Sequence, residues 1–390
     1  MKKLSSPKTA CVHAGMSSRQ RLPSIDLSTI TPLSNLDEAI QAISLLNAGK
    51  QSPQNGIYSR LHNDTVGHFE NALAELEGAE TSVAFASGMA AITALILDAN
   101  QRGGHILACR PIYGGTDALL SGGLLGANIQ WVEPDEIEKN IRPDTALVMI
   151  ETPANPLCTL TDIQNVVSQA GSIPVSVDAT FATPYLQNPL SLGAAFSVHS
   201  ATKFIGGHSD VLAGVIACSE SHAQRLRKIR LMTGANLHPL SAYMLQRGLQ
   251  TLHLRIEAAQ KNAQILAQRL AEHPLVQKVY YPSEADVLIG PKAQQRGTGC
   301  LLAFEVRGGF EAAQRLMQAL QCIVPAVSLG SVESLIQHPA GLTHRNVSPE
   351  ARQKSGISDA LLRFSVGIEG VEDLWQDLEQ ALRAATSARS

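Results

Sequence analysis

The chain reads as an α/β protein: a large domain on a mainly parallel sheet, followed by a smaller C-terminal α+β domain. Three observations predict this. A series of short, β-branched-rich runs with little polar alternation lies between residues 81 and 219, as expected of strands covered on both faces. Helical or loop segments separate several of them, the alternation that builds a parallel sheet. Finally, 390 residues with 44% hydrophobic content supply enough apolar material for more than one core.

Taken in order, residues 1–60 read as an N-terminal arm. It is mixed and Pro-containing, with one helix, "LDEAIQAISLLNAG", ended by Gly49. Residues 61–245 form the large domain. "TVGHFENALAELEG" has helical spacing with Gly78 as its stop, "TSVAFA" is a strand and "GMAAITALILDA" is again helical. "HILAC", "NIQWVE", "ALVMIE", "IPVSVDA", "FSVHSA" and "GVIACS" supply further strands. "SESHAQRLRKIRLMTG" is a helix, and a long helical stretch runs from "PLSAYMLQRG" to "AQRLAEH". The domain boundary is expected near residue 245, inside or beside that stretch. Residues 246–390 then mix strands and helices, as in "CLLAFEVRG", "FEAAQRLMQALQ", "CIVPAV", "LLRFSVGIEG" and "VEDLWQDLEQALRAA".

The bulk numbers exclude some functions. A net charge of −3 gives no long-range attraction to a polyanion or an anionic membrane, so neither nucleic acid nor membrane is an expected partner. The six cysteines form no C-x-x-C pair, and several lie in apolar runs. Buried free thiols in a reducing compartment are the expectation. "MKKLSSPKTACVHAG" lacks an apolar stretch of signal-peptide length, and no segment approaches the ~20 apolar residues of a membrane helix. A soluble, cytoplasmic protein is expected.

Open α/β sheets bind ligands beyond the carboxyl ends of their strands, so the candidate chemistry lies there. After "TSVAFA" come Ser87, Gly88 and Met89 at a helix start, where free N–H groups and the helix dipole suit a phosphate. A Ser-Gly turn also occurs for geometry alone. The dinucleotide pattern G-x-G-x-x-G is missing there, which disfavours a nicotinamide enzyme. After "ALVMI" comes Asn155 between two prolines, either holding an amide in a site or ending a strand. After "IPVSV" comes Asp178, a helix cap or a functional acid. After "FSVHSA" come Thr202 and Lys203, a lysine among hydroxyls and glycines rather than among charges. His199 and His208 flank it without metal-ligand spacing, so no metal is expected.

One chemistry uses all of these groups. Pyridoxal phosphate (PLP) forms a Schiff base with a lysine, needs an acid at its pyridine nitrogen and carries a phosphate to anchor. The acid keeps the ring nitrogen protonated, so that the ring accepts electrons when a substrate C–H bond breaks.

The motifs together resemble the cystathionine γ-synthase/γ-lyase family of PLP-dependent sulfur-amino-acid enzymes. "YSRLHNDT", "SGMAAI", "YGGT", "ETPANP", "FATPYLQNPL", "HSATKFIGGHSD", "SLGSVESLIQHPAGLTH" and "RFSVGIEGVEDLWQDL" follow the family's order. They cover nearly all the chain after residue 50. The resemblance implies a fold-type I PLP enzyme in which Lys203 is the Schiff-base lysine, Asp178 the pyridine partner and Tyr113 the residue stacked on the ring. It implies that Ser87, Gly88, Met89, Ser200 and Thr202 hold the phosphate. Tyr58 and Arg60 resemble the pair that reaches the phosphate from a neighbouring subunit, which implies a homodimer assembling to a homotetramer. Asn155, Ser328 and Arg363 would hold the substrate, with the Arg363 guanidinium suited to a carboxylate.

There are departures. "NDT" puts Asp64 where the family usually has proline, Ala179 replaces an asparagine beside the acid, and "PSIDLSTITPLSN" is divergent. Ile57 and Val327 are apolar where cystathionine-handling members often carry acids; methionine γ-lyase-like members are apolar there. Gly115, however, stands where that lyase group has a cysteine. The implied function is α,γ- (or α,β-) elimination of a thiol from methionine, homocysteine or cystathionine. The alternatives are γ-replacement on an O-acylhomoserine and an inactive homologue that serves as a binding protein.

Overall fold

The computed structural model describes residues 6–16, 24–50, 57–288 and 293–386. The large domain is organised by a seven-stranded sheet of β1 (Thr81–Phe85), β2 (His105–Cys109), β3 (Asn128–Val132), β4 (Thr145–Glu151), β5 (Val175–Asp178), β6 (Phe196–His199) and β7 (Gly214–Cys218). Their order is β1-β7-β6-β5-β4-β2-β3. β2 to β6 run parallel, while β7 is antiparallel to both neighbours. All seven correspond to runs read as strands. β1, β2, β4 and β7 are buried at every residue, as their unalternating sequences require, and only the edge strand β3 is largely half-exposed.

The smaller sheet comprises β8 (Val276–Tyr280), β9 (Leu301–Val306), β10 (Val324–Pro325), β11 (Leu335–Gln337) and β12 (Leu361–Ser365), in the order β10-β11-β12-β9-β8. Apart from the β10–β11 pair it is antiparallel. The amphipathic helices Gly309–Ala319 and Val371–Thr386 bury Leu316, Leu374 and Leu378 in one apolar cluster with Phe304 and Phe364 of this sheet.

The helices follow their end signals. In Asp64–Glu77, Asn63 caps the start by accepting from Val66 N–H at 3.2 Å. Asp64 then takes the first helical position, where an acid meets the positive end of the dipole, so it serves as well there as the family's proline. The stretch expected as one long helix from residue 239 is two, Pro239–Gln250 and Leu252–Glu272. The first helix ends at Thr251, whose N–H donates to Gly248 O at 3.3 Å; Gly248 itself lies inside that helix, where a Cβ would lie 2.2 Å from Ile205 O, so the backbone presses against the lysine loop. Arg255 then ties the second helix to that loop, donating to Phe204 O at 2.5 Å and to Gly248 O at 2.6 Å. Along Leu252–Glu272 the apolar residues change cores: Leu252, Ile256 and Ala259 face the large domain, and Ala263, Leu266 and Leu270 the smaller one. All six cysteines are free, but Cys322 is exposed, contrary to the expectation of burial, because it follows the C-terminal end of Gly309–Ala319 in a surface turn. Among the described residues no helix is long and apolar enough to cross a membrane.

Candidate active site

The lysine loop joins β6 to its antiparallel neighbour β7, so its ends are fixed by the sheet. Within it, Lys203 N–H donates to Ser200 O at 3.1 Å, Gly206 N–H to Ala201 O at 2.9 Å and Gly207 N–H to Lys203 O at 2.8 Å. The side chain leaves this turn toward the smaller domain, where Lys203 Nζ donates to Ser328 Oγ at 2.7 Å. Burial, and then the nearby Arg363 cation, push the ammonium down to about 8. The amine therefore gives up its proton far more readily than an ordinary lysine.

Asp178 ends β5. Its Oδ1 accepts from Thr180 N–H at 3.0 Å and from the Thr180 hydroxyl at 2.6 Å. The same hydroxyl accepts from Ser200 N–H at 2.8 Å and so joins the acid to the lysine loop. Burial holds the Asp178 carboxyl above the usual range against the pull of the Thr180 bonds. A protonated ring nitrogen set against it would reverse that cost.

Ser87 caps the helix Gly88–Asn100, its Oγ accepting from Ala90 N–H at 3.1 Å. A Cβ on Gly88 would lie 2.9 Å from Ser200 Cβ, so only glycine lets this turn meet the lysine loop. Helix N-terminus and hydroxyls thus converge, as a phosphate requires. Thr202 sits beside them, with its hydroxyl already paired to the backbone of Ala213, donating to the carbonyl at 3.1 Å and accepting from the N–H at 3.0 Å.

At the opposite end Arg363, in the middle of β12, is buried. Nη1 donates to Asn155 Oδ1 at 3.1 Å and Nη2 to Ser328 O at 2.5 Å, while Nε is buried without a partner. Burial lowers the guanidinium to about 10, which leaves it charged at neutral pH. Tyr113, 40% exposed, stands at the start of the helix Gly114–Ser121.

These groups line one cavity of about 410 Å³. Every residue expected in the site from the sequence lines it, except Tyr58 and Arg60. Those two lie together on the surface, with the Arg60 guanidinium 5.4 Å from the Tyr58 ring centroid and donating to Leu231 O at 3.2 Å. Among the lining residues not singled out from the sequence, two bear directly on the expected groups: Thr180, which holds Asp178, and Glu151, whose carboxyl accepts from the N–H groups of Tyr113 and Asn155 at 2.6 and 2.7 Å. Glu151 had a legible signal, because it is the charge that ends the wholly apolar run "ALVMI".

The residues fit PLP. A lysine of lowered pKa, a buried acid, an aromatic ring and an anion-binding helix start share one cavity, with an arginine opposite. Fold and site together define a fold-type I PLP enzyme. Residues 8–383 match the family described as Cys/Met metabolism PLP-dependent enzyme, and the chain belongs to that family. It is 46% identical to an L-methionine gamma-lyase of Brevibacterium sandarakinum over 98% of both chains. It is 48% identical to one of Streptomyces avermitilis, over 96% of this chain and 88% of that one. Among solved structures, cystathionine gamma-lyase from Lactobacillus plantarum, complexed with L-serine, superimposes with a TM-score of 0.87 at 32% identity, covering 98% of this chain and 100% of that one. Cystathionine gamma synthase from Xanthomonas oryzae, in complex with aminoacrylate and cysteine, gives 0.85 at 34%, covering 98% and 99%.

Proposed function

We propose that this enzyme is a methionine γ-lyase: with water, it converts L-methionine to methanethiol, 2-oxobutanoate and ammonia. The observation that carries this reading is the character of the cavity wall beside the lysine. Val327 and Leu212 line it. Among the described residues Asp178 and Glu151 are the only carboxylates in the lining, and both are engaged, by Thr180 and by backbone N–H groups. A distal ammonium, as in cystathionine, would lose its hydration there without gaining a partner, whereas a methyl thioether loses nothing. The likeness to the two methionine lyases supports the same choice.

PLP supplies an aldehyde that takes up the substrate amine and a ring that draws electrons from the substrate carbons. Asp178 would hold the proton of the ring nitrogen. Ser87, Gly88, Met89, Ser200 and Thr202 would hold the phosphate. Arg363, with Asn155 and Ser328, orients the substrate carboxylate, and the unpartnered Nε of Arg363 suits that task. Lys203 Nζ takes the proton from the substrate α-carbon and returns protons further along the chain, as its lowered pKa allows. Tyr113, which lines the same cavity, would stack on the ring and assist departure of the γ-thiol.

The same reading divides the chain into an arm (residues 1–60), a cofactor domain (61–245) and a C-terminal domain (246–390); a little beyond that boundary, along Leu252–Glu272, the apolar face changes cores. It makes the enzyme a homodimer that pairs into a homotetramer. Tyr58 and Arg60, outside their own cavity, complete a partner's, and the arm that would reach across leaves Leu27, Ile30, Leu33 and Leu36 exposed in the single chain. Its free cysteines suit the cytoplasm.

The test is product identification. The enzyme is given L-methionine, L-cystathionine, or O-succinylhomoserine with cysteine. Methanethiol and 2-oxobutanoate from methionine are expected. Net formation of cystathionine from the third mixture, with methionine untouched, would overturn the lyase reading in favour of γ-replacement.

A further inference from the structure

Among the described residues lining the cavity, Glu151 is a buried acid that the reaction above does not use. It ends β4 in register with Asp178 on β5, so the two carboxyls sit side by side at one sheet edge. Burial and that neighbour both push the Glu151 carboxyl well above its ordinary range. A glutamate kept at such a position must return something for the cost. Its contacts are specific: Oε2 accepts from Tyr113 N–H at 2.6 Å, and Oε1 from Asn155 N–H at 2.7 Å. Tyr113 belongs to the loop after β2, and Asn155 to the loop after β4. The Asn155 side chain in turn accepts from Arg363 Nη1 at 3.1 Å. One carboxyl therefore connects the aromatic residue at the ring with the cation at the far end of the cavity, through three elements of both domains.

We infer that Glu151 is a positioning residue, which sets the Tyr113 ring and the Arg363 guanidinium in one common geometry through its paired backbone N–H bonds. The inference deepens the proposed function and rests on its assignment of Tyr113 to the ring and Arg363 to the carboxylate. It also explains why the residue is an acid. Both oxygens face N–H donors, so an amide would have to point its own N–H2 at one of them. An aspartate, shorter by one methylene, would not reach both.

Glu151→Gln is the test, made on the PLP-loaded enzyme. Thermal unfolding reports the fold. Visible circular dichroism of the bound cofactor reports the stacking ring. The Kd of glycine, a carboxylate-bearing amino acid with nothing to eliminate, reports the Arg363 arm through the cofactor absorbance. The expected result is a changed dichroic band, glycine affinity lower by about tenfold, and kcat/KM lower by about tenfold to a hundredfold through both kcat and KM. Glu151→Asp should produce the same losses and decides the matter if the glutamine variant does not fold. A wild-type band and wild-type glycine affinity in either folded variant, even with a lower Tm, would overturn the inference. Neither readout depends on which sulfur amino acid is turned over. Failure of methionine as a substrate would defeat the proposed function and leave this test intact.

Discussion

The two sheets furnish the same cavity in different ways. The seven-stranded sheet offers the residues beyond its strand ends: Ser87 after β1, Tyr113 after β2, Asn155 after β4 and Lys203 after β6, with Asp178 as the last residue of β5. The five-stranded sheet offers Arg363 from the middle of a fully buried strand, with the loop before β11 beside it. A residue at a strand end can change without disturbing the ladder. A mid-strand guanidinium belongs to the core, since Asn155 and Ser328 spend acceptors on it. Chemistry and stability should therefore separate in the first sheet and move together in the second.

The sharpest test of that contrast sets Lys203→Ala against Arg363→Ala. Loss of Lys203 should lower kcat by at least ~10,000-fold, since it removes both the anchoring amine and the proton carrier. It should leave the fold at least as stable, because a half-buried, partly desolvated cation disappears. Loss of Arg363 should lower kcat/KM by an amount matching ~2–5 kcal/mol, the scale for breaking a buried charge pair. It should also lower Tm, because two acceptors lose their donor. Steady-state kinetics and unfolding of the same preparations measure both. An Arg363→Ala protein as stable as wild type would erase the distinction between the sheets.

The contrast also governs what could be read from the sequence. The strands of the large domain were legible because each is covered on both faces and so spells an unbroken apolar run. β8 was not, because its middle residues face solvent and "VQKVY" mixes lysine and glutamine with valine. Nor was β11, whose three residues hide inside "SLIQHP", whereas β10 falls within the run "CIVPAV". The division of the long helix at Thr251 was not legible because the residues around it, "LQTLHLR", contain neither glycine nor proline to mark a stop. In the site, Lys203 and Asp178 stood out as isolated charges after apolar strands. Thr180 did not, because its role depends on accepting from Ser200, twenty residues away in sequence. Glu151 carries a weaker signal, because a charge at a strand end is ordinarily a solvated one.

A smaller effect follows from the lysine's depressed pKa and is measured on the enzyme stripped of PLP. The folded protein holds the Lys203 proton only up to about pH 8, whereas an unfolded lysine holds it to ~10.4. Between those values the unfolded chain binds more protons, so stability rises with pH across the window, falls as pH drops from ~10.4 toward about 8 and levels off below it. Lys203→Met has no such proton. Its stability advantage over wild type should be full below pH 8 and shrink by on the order of 3 kcal/mol toward pH 10.4. Denaturant titrations at several pH values give the difference. A gap that does not change with pH would mean that the amine is not desolvated.

The smallest effect isolates strain in the second sheet's loop. Ser328 has φ of 90°, a conformation that suits glycine, and its hydroxyl accepts from Lys203 Nζ. Two variants separate these features. Ser328→Ala removes the hydroxyl and keeps the strain; Ser328→Gly removes both. Each should lower kcat by a similar, roughly three- to tenfold factor, since each leaves the lysine amine without its hydrogen-bonding partner. The glycine variant alone should unfold about 1–2 °C higher than the alanine variant, reflecting roughly 1 kcal/mol of released strain. Equal Tm values would mean that the loop holds no strain. The conformation would then come from the surrounding contacts of Arg363 with Ser328 O and of Gly330 N–H with Ser365 Oγ, which already pin this loop to β12.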